Sequence, residues 1–184
     1  MTEKTEQQDP VFEILFTQEE IEERVLGLAQ EISKDYELDN KTPLLLIGVL
    51  KGAVPFLTDL SQQINHPNLY IDYMGVSSYN GNTTSNKEPK ITLDTKIPIK
   101  DKNVIIVEDI VDSGHSLQAL LPLFQEKNPK SLKIATLLFK PEAFKGSYTV
   151  DYKCFEIPND FIVGYGLDYN ELGRNLKDIY VLAK

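Results

Sequence analysis

The sequence predicts an α/β fold with a mostly parallel central sheet flanked by helices, and two observations carry that prediction. Leu44 to Leu50 and Val104 to Val107 are short, continuous apolar runs. Such runs fit strands that are covered on both faces, as in a parallel sheet. Between them lie segments with helical periodicity, and strands alternating with helices argue for parallel pairing. The chain has 184 residues. That length suits one domain with a sizeable core and is short for two. Residues 1–10 are polar and read as a flexible tail, leaving residues 11–184 as a single domain.

Each element follows from local signals. Val11 to Phe16 reads as a short strand. Thr17 and Glu20 have the spacing of a capping box, in which each side chain accepts from the other residue's backbone N–H. Ile21, Val25, Leu28 and Ile32 then recur at helical spacing and give one apolar face. The run from Leu44 ends at Lys51-Gly52, and Ala53 to Ile64 reads as a helix with Pro55 tolerated in its first turn. Leu69 to Tyr79 is strand-like, and the polar residues 80–90 form a loop. The run from Val104 ends at Glu108-Asp109, a short loop holds Gly114, and a helix starts near Ser116. Pro122 falls inside that helix, where a kink or local break is expected. Leu132 to Phe139, Ile162 to Leu167 and Ile179 to Leu182 complete the strands.

Composition narrows the function classes. The formal net charge is -9, with Lys and Arg scattered singly. Such a surface repels nucleic acid and anionic membranes. No apolar run reaches the roughly 18 residues that a membrane span needs. The first ten residues hold no apolar signal core, so secretion is not expected. Cys154 is the only cysteine, which excludes an intramolecular disulfide and suits a reducing, cytoplasmic setting. The same thiol reads as strand core. His66, beside Pro67, reads as a surface residue. Two histidines and one cysteine cannot close a zinc site.

The segment Val104 to Leu117, VIIVEDIVDSGHSL, carries the chemistry. Its apolar half buries a strand, and its polar half emerges with Glu108, Asp109 and Asp112. Ser113, Gly114, His115 and Ser116 then turn into a helix. Gly114 lets the backbone approach a ligand closely. Amides at a helix start, together with serine hydroxyls, can hold a phosphate. Acids beside a phosphate pocket repel it, unless they bind hydroxyls or a hard cation such as Mg²⁺. In α/β sheets ligands bind outside the carboxyl ends of the strands. Lys51-Gly52 and Glu108 to Ser116 both fall at that edge.

This string resembles the phosphoribosyl pyrophosphate signature of type I phosphoribosyltransferases. Beyond residue 10 the chain resembles the 6-oxopurine subgroup, the hypoxanthine-guanine phosphoribosyltransferases, over nearly its whole length. LLIGVLKGA (Leu45 to Ala53), SSYNG (Ser77 to Gly81), LLFKPEAF (Leu137 to Phe144) and FEIPNDFIVGYGLDYNELGRNL (Phe155 to Leu176) carry the likeness. The resemblance implies the type I fold with a small hood subdomain. It implies that Glu108 and Asp109 hold the ribose hydroxyls, directly or through Mg²⁺, and that Asp112 is the general acid/base near N7 of the purine. Ser113, Gly114, His115 and Ser116 would cradle the 5′-phosphate, with no catalytic role for the His115 ring. Lys51 and Gly52 would form the pyrophosphate loop, at a cis peptide, and Ser78 and Tyr79 a mobile lid. Lys140 would donate to the 6-oxo group, Phe161 stack on the base, and the Ile162 carbonyl accept from the 2-position. Asp168 would bind a second Mg²⁺ and Arg174 reach the pyrophosphate. The implied substrates are phosphoribosyl pyrophosphate with hypoxanthine or guanine, and the implied assembly is a homo-oligomer, a dimer or a tetramer. Xanthine as the base, or a regulator that binds without turnover, are the competing readings. Retention of Asp112 and Lys51, and the absence of a basic appendage, count against the regulator.

Overall fold

The computed structural model describes residues 11–77 and 90–183. The expected tail, the lid residues Ser78 and Tyr79, and residues 80–89 of the expected loop lie outside the described residues. Twelve elements follow in order. They are β1 (Phe12–Phe16), α1 (Gln18–Asp35), β2 (Leu44–Leu50), α2 (Val54–Gln63), β3 (Leu69–Ser77), β4 (Lys90–Leu93), β5 (Asn103–Val111), α3 (His115–Glu126), β6 (Ser131–Phe139), β7 (Tyr152–Glu156), β8 (Ile162–Val163) and β9 (Ile179–Leu182). Six strands form a sheet in the order β4-β3-β2-β5-β6-β7. All its pairings are parallel except β3 with the edge strand β4. The other three strands form a small hood sheet, β1-β9-β8, with antiparallel pairings.

The apolar runs behave as strands covered on both sides. Leu44, Leu46, Ile105 and Val107 face one core, shared with Ile21, Leu28, Phe56 and Leu57 of α1 and α2. Leu45, Ile47, Val104 and Ile106 face a second core, shared with Leu117, Leu120 and Phe124 of α3. Alternate residues of a strand point to opposite faces, so an unbroken apolar run fills both cores at once. The capping box at Thr17 and Glu20 is present, and Ile21, Val25, Leu28 and Ile32 are buried.

Several elements depart from expectation. β5 runs on through Glu108 to Val111, because Glu108, Ile110 and Val111 pair with Thr136, Leu138 and Phe139 of β6. Helix α3 passes through Pro122 without a break. Pro122 and Gln118 lie on its exposed side. The Gln118 carbonyl, which a proline four residues on cannot engage, therefore faces water. β8 stops at Val163, because Gly164, Tyr165 and Gly166 all take positive φ and turn the chain. β4 begins at Lys90, the last residue of the expected loop, and its four residues (KITL) are too short a run to have been expected as a strand; β7 was anticipated only through Cys154, which reads as strand core, without bounds. His66 is not a surface residue: it is 9% exposed, and its Nδ1 accepts from the Asn68 N–H at 3.2 Å. The turn through Pro67 folds its ring inward. Cys154 is buried in β7, and burial pushes its thiol up to about 12, which leaves it unreactive. Two contacts tie the hood to the main sheet's helices. The Gln18 N–H donates to Asp178 at 2.8 Å, and the Tyr165 hydroxyl donates to Asp59 of α2 at 2.6 Å.

Leu46 is fully buried at the centre of β2, whereas Leu38 is fully exposed. Leu46→Ala is expected to cost about 2–5 kcal/mol, lowering the melting temperature by roughly 2–4 °C per kcal/mol. Leu38→Ala should leave melting within about 1 °C of the parent. Thermal denaturation followed by circular dichroism checks both.

Candidate active site

The site forms where β2, β5 and β6 end side by side, with the 164–174 segment of the hood above them. Past Val111 the chain turns through Asp112, Ser113 and Gly114 into α3. Gly114 sits at φ 80°, ψ 0°. A Cβ there would come within 2.6 Å of the Phe144 ring and 2.8 Å of the Tyr148 hydroxyl. Only glycine meets both constraints without strain. The Tyr148 hydroxyl donates to the Gly114 carbonyl at 2.9 Å, and the Lys145 N–H donates to the Ser113 carbonyl at 3.0 Å. The loop is thus pinned from behind. In front lies a cavity of about 110 Å³, lined by Glu108 and residues 110–117. The first amides of α3 have no partner within the helix, and the helix dipole favours an anion there. The His115 Nδ1 lies 2.9 Å from the Ser113 Oγ.

Two carboxylates close this end of β5. Glu108 is 8% exposed. Burial, reinforced by the charge of Asp109, pushes it well above the usual carboxylate range. Burial also raises Asp109, to about 6, against the opposing pull of the Ile110 N–H and the Arg174 guanidinium. Asp109 packs directly on the end of β2. A Cβ on Gly52 would lie 1.5 Å from its Oδ2, so a larger residue at 52 would displace the Asp109 carboxylate. The Leu50–Lys51 peptide is cis, the bond type that the resemblance implied for this loop.

Beside Asp112, Lys140 follows β6. It is 7% exposed, and its Nζ donates to Asp112 at 3.0 Å and to the Asn159 side-chain oxygen at 3.4 Å. Phe161 is 45% exposed and makes edge or tilted contacts with Tyr169 and Phe12. Ile162 opens β8 opposite Val181.

Above the end of β2, Arg174 pairs with Asp168 at 2.7 Å and donates to the Gly166 carbonyl at 2.9 Å. Lys51 pairs with Glu171 at 2.8 Å. Gly166 in turn sits against Gly52, since a Cβ on it would lie 2.0 Å from the Gly52 carbonyl oxygen. Lys51, Gly52, Asp109, Asp168 and Arg174 are therefore one neighbourhood. Asp112 and Lys140 form a second, joined to the first through β5. Among the described residues no three His, Cys, Asp or Glu side chains converge as a single metal cage. Sequence reasoning missed Tyr148, Phe144, Asn159 and Glu171. Phe144, Asn159 and Glu171 lie within the stretches quoted for the resemblance, but only tertiary contact reveals what they touch.

The likeness of the site extends to whole chains. The phosphoribosyl transferase domain family matches residues 12–170. A hypoxanthine-guanine phosphoribosyltransferase of Streptococcus mutans is 44% identical over 171 residues, 93% of either chain. The crystal structure of such an enzyme from Bacillus anthracis superposes with a TM-score of 0.84 at 39% identity, covering 95% of this chain and 99% of that one. A Trypanosoma cruzi hypoxanthine phosphoribosyltransferase reaches a TM-score of 0.88 at 38% identity, covering 98% of this chain and 95% of that one. These likenesses cover most of the chain, and on them the chain belongs to the phosphoribosyltransferase family of transferases.

Proposed function

We propose that the chain is a hypoxanthine/guanine phosphoribosyltransferase of purine salvage, moving the 5-phosphoribosyl group from phosphoribosyl pyrophosphate to N9 of a 6-oxopurine. IMP or GMP and pyrophosphate are the products. The observation that carries this reading is the nearly buried Lys140 beside Asp112. An ammonium only donates, so it takes a 6-oxo group and rejects a 6-amino group. A carboxylate next to it accepts only, which suits a base that must shed a proton.

In the reaction the bond from C1′ to pyrophosphate breaks, a bond to N9 forms, and the purine proton leaves. Asp112 accepts that proton at N7. Ser113, Gly114, His115 and Ser116 hold the 5′-phosphate through the start of α3, and Phe161 stacks on the base while the Ile162 carbonyl accepts from its 2-position. Lys51 and Arg174 meet the negative charge that builds on the leaving group. Ser78 and Tyr79 serve as the lid that keeps water from the activated ribose.

The donor set also suits Mg²⁺. Glu108 and Asp109 are adjacent carboxylates raised by burial, and oxygen ligands of this kind match a hard cation. Glu108 and Asp109 would hold the ribose hydroxyls, directly or through Mg²⁺, and Asp168 would hold a second ion. When bound, Mg²⁺ supplies charge neutralisation at the pyrophosphate. A cytoplasmic homo-oligomer, dimer or tetramer, belongs to the same proposal. No helix among the described residues is long and apolar enough to cross a membrane.

The direct test offers phosphoribosyl pyrophosphate, Mg²⁺ and each of hypoxanthine, guanine, xanthine and adenine, and follows nucleotide formation. Product from hypoxanthine or guanine, none from adenine, and loss of product on chelation are expected. No product from any base, with phosphoribosyl pyrophosphate still bound, would overturn the reading in favour of a regulator. Asp112→Asn should lower kcat by about 10²–10⁴ with the KM of phosphoribosyl pyrophosphate little changed, and steady-state kinetics measures the split. Asp109 titrates near 6 when folded, above its ordinary 3.8. A raised carboxyl favours the folded state below its unfolded pKa, and that contribution is lost as pH rises through about 6. In metal-free buffer Asp109→Asn should therefore melt a few degrees above the wild type at pH 8, with the gap closing below pH 5. A gap that is constant across pH would show that Asp109 is not destabilised by burial.

A further inference from the structure

Glu171 is assigned no part in binding or catalysis, yet it touches both cations that the proposed function directs at pyrophosphate. One carboxylate oxygen lies 2.8 Å from the Lys51 Nζ. The other lies 3.6 Å from the Arg174 Nη2. The two cations are far apart in the sequence, Lys51 after β2 and Arg174 in the hood. A single carboxylate bridges them, one oxygen to each.

The backbone holds Glu171 in this place by an uncommon conformation. Asn170 and Glu171 have φ of 52° and 67°. Asparagine tolerates the left-handed region, whereas a glutamate there is rarer and needs a local constraint. The constraint is visible: the Glu171 N–H donates to Asp168 Oδ2 at 2.8 Å, while the other Asp168 oxygen pairs with Arg174. The Tyr169–Leu172 bridge closes the same turn. The turn thus carries the Glu171 side chain over the gap between the two cations. The Lys51 and Glu171 side chains remain 66% and 67% exposed. An ion pair that wet is weak and exchanges readily for a stronger anion.

We infer that Glu171 is a built-in competing anion, a carboxylate that occupies Lys51 and Arg174 until the pyrophosphate group displaces it. The inference rests on the proposed function for the identity of the incoming anion. Three consequences follow from one geometry. The two cations stay apart from each other's repulsion and near their working positions in the free protein. Weak monoanions fail to displace a tethered carboxylate, whereas a multiply charged pyrophosphate does. After turnover the carboxylate returns to the cations and helps pyrophosphate leave. Glu171 is on this account a positioning residue that tunes affinity for the diphosphate moiety and touches no reacting atom.

The experiment titrates sodium pyrophosphate with MgCl₂ into the full chain by calorimetry, for wild type, Glu171→Gln and Glu171→Ala. Both variants should bind pyrophosphate about two- to fivefold more tightly, the range that an exposed ion pair spans. In steady-state assays the KM of phosphoribosyl pyrophosphate should fall by the same factor while the KM of hypoxanthine stays put. A merely structural role would move both or neither. Equal or weaker pyrophosphate binding in the variants overturns the inference, whether or not the wild type turns over. A wild type that binds pyrophosphate but makes no nucleotide overturns the proposed activity instead, and the titration still decides the role of Glu171. No pyrophosphate binding by any form overturns the inference as well.

Discussion

Parallel pairing of β2 with β5 and of β5 with β6 is the constraint on which the site depends. Leu44 lies opposite Asn103, and Asn103 opposite Ser131, so the three strands start level and end close to one another. Their registers are enforced by the two cores, because a slip of one residue would exchange the faces and expose or strand every buried side chain. Once the registers are set, three loops must meet at one edge. Lys51 and Gly52 follow β2, Asp112 to Gly114 follow β5, and Lys140 follows β6. None of these loops needs any attraction for the others to assemble there.

That convergence places like charges where water is scarce. Glu108 and Asp109 both lie within β5, Glu108 buried and paired with Thr136, and Asp109 packed against Gly52. Arg174 offsets part of this burial cost, since it lies near Asp109, and it also pairs with Asp168. Lys140, in the neighbouring cluster, is held by Asp112. Each cation is itself one that the proposed substrate would engage. Both cations pair with the protein's own carboxylates, and binding of the proposed substrate would exchange these internal pairs for external ones. Buried carboxylates that are costly in the free protein are the groups that a hydroxyl or a hard cation would relieve. Stability is given up at the place where binding recovers it.

Much of this was legible before the structure. Apolar runs such as Leu44 to Leu50 state their environment directly, and the capping box at Thr17 states where α1 begins. Gly114 between Ser113 and His115 marked a phosphate-type turn, and Tyr148 and Phe144 now explain why no other residue fits. What failed was whatever depends on a distant partner. Glu108 and Asp109 look like the end of a strand, yet β6 extends β5 past them. His66 looks exposed by composition, and a turn buries it. Pro122 looks like a helix breaker, but its placement on the wet side lets α3 continue. β7 was marked only by Cys154, because the alternation of Tyr152 and Cys154 about Lys153 is too short to bound a five-residue edge strand. Glu171 was silent at the level of the site: its meaning lies in Lys51, which the sequence places far away.

The central claim is that the strand-end carboxylates and the flanking cations form one receptor for a diphosphate sugar together with a hard cation. The most direct measurement is the melting temperature of the full chain with Mg²⁺ alone, with phosphoribosyl pyrophosphate alone, and with both. A ligand that binds only the folded state stabilises it according to its affinity, so joint binding is visible as excess stabilisation. The account predicts that the two together raise the melting temperature by more than the sum of their separate effects, and that the excess disappears in Asp109→Asn. Additive shifts, or an excess that survives in Asp109→Asn, would contradict it.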